Sequence, residues 1–288
     1  MIHGKTASTT TVLISLVLLA ACSGTNSGSG VAAGSSGAPA SDCKPAHQVT
    51  TIKKGSLTVT GEELPPFGHV GNDGISGVDG DILAAIAKKE CLKIVPMPVA
   101  AAAVIPTVQS GRADVAMGDW NRTNARVQIV NMSDPIYIDQ MALVSKAGLT
   151  QVAQLKGQSV GTVTGYLWVD DLKKQLNGKL KLYSSNVQMY ADLKVGRLDV
   201  GIDGLGPAAY SSKGTPFKVV AAEADPAVAV TLNAPQTGFP VTKSNTSLLG
   251  AINADIAELK AQGQIVVILA KYDLPKSASD TGAARLIG

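Results

Sequence analysis

Apolar positions follow two alternating periods along most of the chain. SLTVTG (56–61) and LKIVPMPV (92–99) have the composition of strands, whereas DGDILAAIAKKE (79–90) carries apolar residues at helical spacing after an acidic first turn. VIPTVQSGRADVAMG (104–118) predicts a short helix, a turn and a strand. Strands that alternate with helices indicate βαβ units, so we predict an α/β fold with mainly parallel sheets.

A second series of the same kind begins after Lys146, and part of it matches the first. VQSGRADVAMGD (108–119) and LKVGRLDVGIDG (193–204) both contain a helix end, Gly-Arg, an apolar residue, Asp, a strand, and an aspartate at the carboxyl end of that strand. Ligands of open α/β sheets bind beyond the carboxyl ends of the strands. We therefore expect Asp119 and Asp203 to face each other across a cleft between two lobes.

The N-terminus predicts export. The apolar run TVLISLVLLAAC (11–22) is shorter than the roughly 20 residues that span a bilayer, so it is typical of a signal peptide rather than a membrane anchor. It ends in Leu-Ala-Ala-Cys, which resembles the bacterial lipobox, so we predict a lipoprotein signal over residues 1–21 and lipidation of Cys22. An ordinary signal peptide with a coincidental cysteine is the alternative. Small, polar residues predict a flexible tether over 22–42.

Charge and cysteine content narrow the classes of partner. The formal net charge of +3 falls to +2 when Lys5 leaves with the signal, which argues against a nucleic-acid partner. The sequence contains no run of basic residues that would form a membrane-binding face, so we expect membrane contact only through the lipid.

An exported protein would expose Cys43 and Cys91 to an oxidising compartment, and we predict a disulfide between them. Two separate buried thiols are the alternative.

One segment matches a catalytic motif by letter but not by context. GQSVG (157–161) fits the G-x-S-x-G elbow, whose serine must lie on a turn from strand to helix. The predicted order here is helix, turn, strand, and only His47 and His69 lie outside the signal as candidate bases. We therefore do not expect an esterase. No cluster of Cys or His has the spacing of a metal site, so neither a metal nor a cofactor is expected.

Seven segments, taken in order, resemble the extracellular solute-binding proteins of the polar amino-acid family, which are the receptors of ABC importers. They are PPFG (65–68), GVDGDILAAIAKK (77–89), VIPTVQSGRADVAMG (104–118), RTNARVQIVNMSDPIY (122–137), LKGQSVGTVTGY (155–166), LKVGRLDV (193–200) and LLGAINADIAELKAQGQIVVILAKYDL (248–274).

The resemblance implies a two-lobed fold with two hinge crossings, each lobe a mainly parallel sheet flanked by helices. The first lobe would comprise 43–145 and 238–288, and the second 146–237. The crossings are expected near 142–146 and near 237–241.

The resemblance also implies a ligand site on the first lobe. Arg126 matches the arginine that binds an α-carboxylate, and Thr123 can cap the short helix that carries it. Asn121 lies where the family usually has a serine or threonine that binds the same group, and Trp120 precedes it. The alternative for Arg126 is a surface ion pair.

On the second lobe, Gly165, Tyr166 and Trp168 fall where family members close on the ligand, although a lone tryptophan is more often a core residue. The family's ammonium-binding aspartate falls at Gly204, so Asp203 is expected to substitute or the ligand to lack an α-amino group.

Four acids, together with aromatic residues that include Phe67, favour a cationic or ammonium-bearing ligand; the acids are Glu62, Glu63, Asp119 and Asp203.

We therefore predict an exported, monomeric, lipid-anchored receptor that is not an enzyme. It would capture an amino acid or a related carboxylate or ammonium compound by hinge closure and present it to an ABC permease. Two alternatives remain open. One is a dehydratase or lyase on the same fold that uses Glu62 or Asp203 as a general acid. The other is a lipoprotein that binds its ligand to signal.

Overall fold

The structure, a computed structural model, describes residues 42–288. The predicted signal peptide, Cys22, and the tether up to residue 41 lie outside the described residues. Within residues 42–288, no helix has both the length and the apolar content needed to cross a bilayer.

The described residues form twelve strands, eight α-helices and four short 3-10 helices. The strands are β1 (Ser56–Gly61), β2 (His69–Gly71), β3 (Gly74–Ser76), β4 (Lys93–Pro98), β5 (Val115–Met117), β6 (Asn131–Met132), β7 (Met141–Ser145), β8 (Val160–Val163), β9 (Leu180–Tyr183), β10 (Val200–Gly204), β11 (Lys218–Ala221) and β12 (Pro240–Val241). The helices are α1 (Val78–Lys89), α2 (Val104–Gln109), α3 (Asn124–Ile129), α4 (Val169–Gln175), α5 (Asn186–Lys194), α6 (Leu205–Ser211), α7 (Thr246–Ala261) and α8 (Gln264–Lys271). The 3-10 helices span Ala101–Ala103, Val152–Leu155, Ala229–Thr231 and Lys276–Ser279.

Two five-stranded sheets organise the fold, each parallel on one side and antiparallel on the other. The first has the order β4-β1-β5-β12-β6, and the second has the order β11-β7-β10-β8-β9. In the first sheet β1 pairs in parallel with β4 and β5, whereas β12 pairs antiparallel with β5 and β6. In the second, β8 pairs in parallel with β9 and β10, and β7 is antiparallel to β10 and β11. The predicted helix-turn-strand units are confirmed in both halves.

The apolar cores of the two sheets are separate, which gives the molecule its two lobes. The largest cluster of buried side chains takes residues from 57–137 and again from 239–278, so both ends of the described chain build one core. Clusters beneath the second sheet take their buried residues from 141–228. Every residue of β1, which lies between β4 and β5 in the sheet, is buried.

The chain enters the second sheet earlier than predicted. Residues 141–145 were assigned to the first lobe, but all five are buried and pair in the second sheet, with Met141 opposite Gly204. The crossing segment therefore precedes Met141 instead of spanning 142–146. It pairs with the returning segment through an isolated bridge between Ile138 and Gln236. The other lobe boundaries stay predictions.

A disulfide joins Cys43 to Cys91, as predicted, with the two Cα atoms 5.8 Å apart. It ties the start of the folded region to the residues that follow α1. Beside it, the backbone amide of His47 donates to Glu90 Oε2 over 2.9 Å, and the imidazole Nδ1 lies 2.7 Å from Glu90 Oε1.

Candidate functional site

A cavity lies where loops from the two sheets meet, beyond the carboxyl ends of β5, β8 and β10. Nine of the ten residues predicted to bind ligand line it. The lining consists of Glu62, Leu64, Gly118, Asp119, Trp120, Asn121, Arg126, Asp139, Gly165, Tyr166, Leu167, Trp168, Asp203, Gly204, Pro207 and Pro235. Residues that are far apart in the chain therefore lie together in one cavity, as predicted from the sequence. Their role in ligand binding stays a prediction.

Arg126 is positioned by a short capped helix and an indole ring. The hydroxyl of Thr123 accepts a hydrogen bond from the Arg126 backbone amide over 3.1 Å, so Thr123 caps α3 as predicted. The guanidinium donates to the Asn121 carbonyl oxygen over 2.5 Å and lies 4.8 Å from the centroid of the Trp120 ring. Burial lowers the pKa of Arg126, while the nearby carboxylates of Asp119 and Glu62 oppose that effect. The guanidinium stays charged, because its normal pKa is far above neutrality.

The loop before Arg126 is held by a buried carboxylate that sequence reasoning did not assign to the site. Asp79, in the first turn of α1, accepts from the backbone amides of Gly118 and Asp119 over 2.8 and 3.0 Å. Its other oxygen accepts from the Tyr137 hydroxyl over 2.8 Å. These bonds hold Asp119 in a left-handed conformation with φ of 56°. The acidic first turn of α1 was the signal in the sequence, but a helix-dipole effect also accounts for an acid there.

Four carboxylates face the single guanidinium in the cavity lining: Glu62, Asp119, Asp139 and Asp203. Burial raises the pKa of Asp203 to about 7, although the Gly204 amide donates to it. Burial also raises the pKa of Asp139 to about 7, with the charge of Asp203 adding to the effect. The pKa of Asp119 lies well above its ordinary value because of burial and of the neighbouring Asp139. A buried cluster of this kind holds protons until a cation replaces them.

Three buried acceptor atoms at the site have no hydrogen-bond partner among the described residues. They are Asp119 Oδ1, Asn121 Oδ1 and Asp203 Oδ2. Leaving a buried acceptor unpaired costs about 1 to 3 kcal/mol. A ligand that brings hydrogen-bond donors would remove that cost, so the lining is complementary to a donor group such as an ammonium.

The second wall carries two aromatic rings. Tyr166 and Trp168 lie edge to face, with centroids 5.0 Å apart and planes at 77°. The indole Nε1 of Trp168 donates to Thr162 Oγ1 over 2.8 Å, and the side chain also packs in the core beneath the second sheet. Trp168 is thus both a core residue and a cavity residue. Gly165 has φ of 85°, which the turn before these aromatics requires. Burial raises the pKa of Tyr166, so its hydroxyl stays protonated.

Phe67 was wrongly predicted to lie in this cavity. Its ring is 1 % exposed and stacks on Tyr137, with centroids 5.0 Å apart and planes at 8°. This stacking places Phe67 in the core of the first lobe, because burying the aromatic ring there is more favourable than exposing it in the cleft. A Cβ on Gly206 would come within 2.5 Å of its ring, so Phe67 packs closely against the start of α6.

Arg122, four residues before Arg126, does not line the cavity. Arg122 donates to the carbonyl oxygens of Ser133 and Arg285, each over 2.9 Å, and to Gln236 Oε1 over 3.1 Å. It therefore links the first lobe to the returning segment and to the C-terminal residues.

Ser159 of the elbow-like motif directly precedes β8, as predicted, and its hydroxyl donates to Asp199 Oδ2 over 2.7 Å.

The sequence profile of the bacterial extracellular solute-binding proteins, family 3, matches residues 57–275. The chain belongs to this family. As a family 3 protein it has the predicted solute-binding function, and the family's extracellular location agrees with export.

Two curated proteins and one solved structure are similar to this chain. The L-cystine-binding protein TcyJ of Escherichia coli (strain K12) is 25% identical over 228 residues, which cover 76% of this chain and 83% of that protein. A probable histidine-binding protein of Neisseria gonorrhoeae is 26% identical, covering 73% and 80%. A solved structure, an ancestral arginine-binding protein bound to arginine, superposes with a TM-score of 0.64 at 30% identity and covers 76% and 98%. All three are binding proteins by name.

Proposed function

We propose that this family 3 protein captures an amino acid or a related ammonium-bearing solute in the cavity between its lobes and presents it to an ABC permease. The observation that carries the proposal is one guanidinium, Arg126, facing buried acceptors that lack partners. The arginine would bind a carboxylate and the acceptors an ammonium. The relatives named for cystine, histidine and arginine support this class of ligand.

Binding proceeds by hinge closure in this proposal. The ligand first meets Arg126 and Asn121 on the first lobe, and the second lobe then closes with Gly165, Tyr166 and Asp203. The closed form is the one that the permease recognises, because only a bound ligand stabilises it. No bond of the ligand is made or broken. The receptor acts as a monomer, since one chain supplies both walls of the cavity.

A ligand screen tests the proposal directly. The mature protein is heated in the presence of each common amino acid, several polyamines and several betaines, and hits are measured by calorimetry. A ligand that binds only the folded state raises the midpoint of unfolding. We expect at least one amino acid to raise it, and to raise it less in Arg126→Ala than in the wild type. Arg197→Ala, which removes a surface arginine that is 72% exposed, serves as the control.

Lipid anchoring at Cys22 is part of the same proposal and is tested separately. Palmitate labelling of intact cells should mark the wild type and not Cys22→Ser, and the variant should leave the membrane fraction. An unlabelled wild type would favour the ordinary signal peptide instead.

The buried carboxyls also fit a second candidate, a lyase or dehydratase on the same fold. A general acid works best with a pKa near the operating pH, and the pKa of Asp203 is about 7. Recovery of the bound solute after long incubation separates the two functions. Unchanged solute supports the receptor, whereas conversion that is lost in Asp203→Asn supports the enzyme.

A further inference from the structure

Gly204, at the end of β10, is a glycine that its own backbone does not require. Its φ of −63° and ψ of 150° are extended values that any residue adopts. However, a Cβ built at this position would lie 1.8 Å from Asp139 Oδ2, far inside any permitted contact. The space that a side chain at 204 would fill is therefore already occupied by the carboxylate of Asp139.

Asp139 reaches this position from the crossing segment between the lobes. Its Oδ1 accepts from the Gly206 backbone amide over 3.1 Å, at the first turn of α6. The residue is 7% exposed overall, yet it lines the cavity beside Asp119 and Asp203. One oxygen of the carboxylate is thus used to hold α6, and the other lies beside Gly204 at the end of β10, with the Asp119 side chain next to the same carboxylate.

The cavity offers acceptors in excess of donors. Asp203 is fully buried. The hydroxyls of Tyr166 and Tyr190 lie near its carboxylate, but its Oδ2 accepts no well-formed hydrogen bond from the described residues, and Asp119 Oδ1 has no partner among them either. The one basic side chain in the lining, Arg126, lies against Trp120 and donates to Asn121. A ligand that fits must bring its own positive charge, and a primary ammonium with three donors matches three neighbouring carboxylates.

We propose that Asp139 is the residue that binds the ligand's ammonium group, flanked by Asp119 and Asp203, and that position 204 lacks a side chain so that Asp139 can occupy the site. This inference rests on the proposed function. The cavity lining holds these three acids and a single guanidinium. The ligand is therefore a solute that carries a net positive charge, together with a carboxylate that binds Arg126. The carboxylate that recognises the ammonium comes from the hinge itself, so ligand binding and lobe movement share one residue.

The first test measures affinities for L-lysine, L-arginine, L-glutamine and L-glutamate by calorimetry at pH 7.5. The wild type is expected to bind L-lysine or L-arginine at least tenfold more tightly than L-glutamate. Asp139→Asn keeps an oxygen that can accept from Gly206, so it should fold normally and lose at least tenfold in affinity for the cationic ligand. Asp170→Asn makes the same charge change on a side chain that is 87% exposed and should bind as the wild type does.

The second test moves the carboxylate from position 139 to position 204. Asp139→Ala removes the carboxylate, and Gly204→Asp places one in the space that is then free. The double variant is expected to recover most of the affinity that Asp139→Ala alone loses. Gly204→Asp alone should bind more weakly than the wild type, because two side chains then compete for one volume. Circular dichroism and the unfolding midpoint of each variant show whether a loss reflects misfolding.

The outcomes separate this inference from the function on which it rests. A wild type that binds none of the amino acids, polyamines and betaines in the screen overturns both. A wild type that binds L-lysine or L-arginine while Asp139→Asn binds equally well overturns the role of Asp139 and leaves the receptor function standing. Equal affinity for L-glutamate and L-lysine overturns the inference that the ligand carries a net positive charge.

Discussion

The guanidinium carbon of Arg126 lies 4.8 Å from the centroid of the Trp120 ring, and both side chains line the same cavity. An aromatic face attracts a guanidinium by about 0.5 to 2 kcal/mol, depending on how far the pair is desolvated. The indole is fixed in turn, because its Nε1 donates to the Met117 carbonyl oxygen over 3.1 Å. The arginine is thus oriented before any ligand arrives, so less side-chain entropy is lost when the ligand binds.

Removing the Arg126 side chain should therefore weaken ligand binding without unfolding the protein. We expect Arg126→Ala to lose about 1.5 to 3 kcal/mol of binding free energy, the range for a hydrogen bond to a charged group, or roughly tenfold to 150-fold in Kd. Arg126→Lys keeps the charge but not the planar fork, so it should recover only part of the loss. Calorimetry with the ligand found in the screen measures both, and an unchanged Kd in Arg126→Ala would contradict the assignment.

The two tryptophans of the chain lie on opposite walls of the cavity and should both report on ligand. Trp120→Phe leaves Trp168 as the sole emitter, and Trp168→Phe leaves Trp120. We expect each single-tryptophan variant to change its emission on ligand addition, because closure alters the surroundings of both rings. Trp168→Phe should also lower the unfolding midpoint, since it removes the hydrogen bond to Thr162. If one of the two remained silent at saturating ligand, that ring would be a core residue only.

The cleft carboxyls should make the ligand-free protein less stable as the pH rises. The pKa values of Asp139 and Asp203 are about 7 in the folded protein, against about 3.9 for an unfolded aspartate. Between these values the folded state binds more protons than the unfolded state at these two groups, so their contribution to stability is fully present below about pH 4 and is lost as the pH rises through about 7. His47, whose pKa is raised mainly by its hydrogen bond to Glu90, acts in the same direction above pH 6.5.

Urea unfolding at pH 5.5 and pH 7.5 measures this effect. The ligand-free wild type should have the higher midpoint at pH 5.5, and Asp203→Asn should reduce the difference by raising the midpoint at pH 7.5. Asp170→Asn, exposed on α4, should leave the difference as it is. A wild type that is more stable at pH 7.5 than at pH 5.5 would show that these carboxyls are ionised at little cost.

Much of this arrangement followed from the sequence because strand ends are predictable. The matching segments that end in Asp119 and Asp203 each supply a buried strand followed by an acid, and the topology of α/β sheets brings such ends together. Arg126 was assigned through the family resemblance, which the capping residue Thr123 supported, and Trp120 was placed by its position just before that short helix. These residues depend on local order along the chain, which periodicity and capping residues report well.

Other features depend on contacts between distant segments, which no local pattern contains. Asp139 lies in a crossing segment without a motif, and its importance appears only when its carboxylate is found in the space beside Gly204. Phe67 was misplaced because a ring next to a cleft can turn either way, and stacking on Tyr137 decided the outcome. The start of β7 was missed because a run of five buried residues, four of them apolar, fits either lobe until its partner strand is known.

The disulfide between Cys43 and Cys91 should affect stability and not ligand affinity. Its cysteines are 48 residues apart, and the chain-entropy relation for a loop of that length gives up to about 4 kcal/mol of stabilisation. His47 and Glu90 hold the same segment in the folded state after reduction, so most of this difference should be observed. Neither cysteine lines the cavity. We therefore expect Cys43→Ser/Cys91→Ser to lower the midpoint of urea unfolding while the Kd stays within twofold. Reduced wild type should match the double variant, and a large change in Kd would mean that the N-terminal segment influences the cleft.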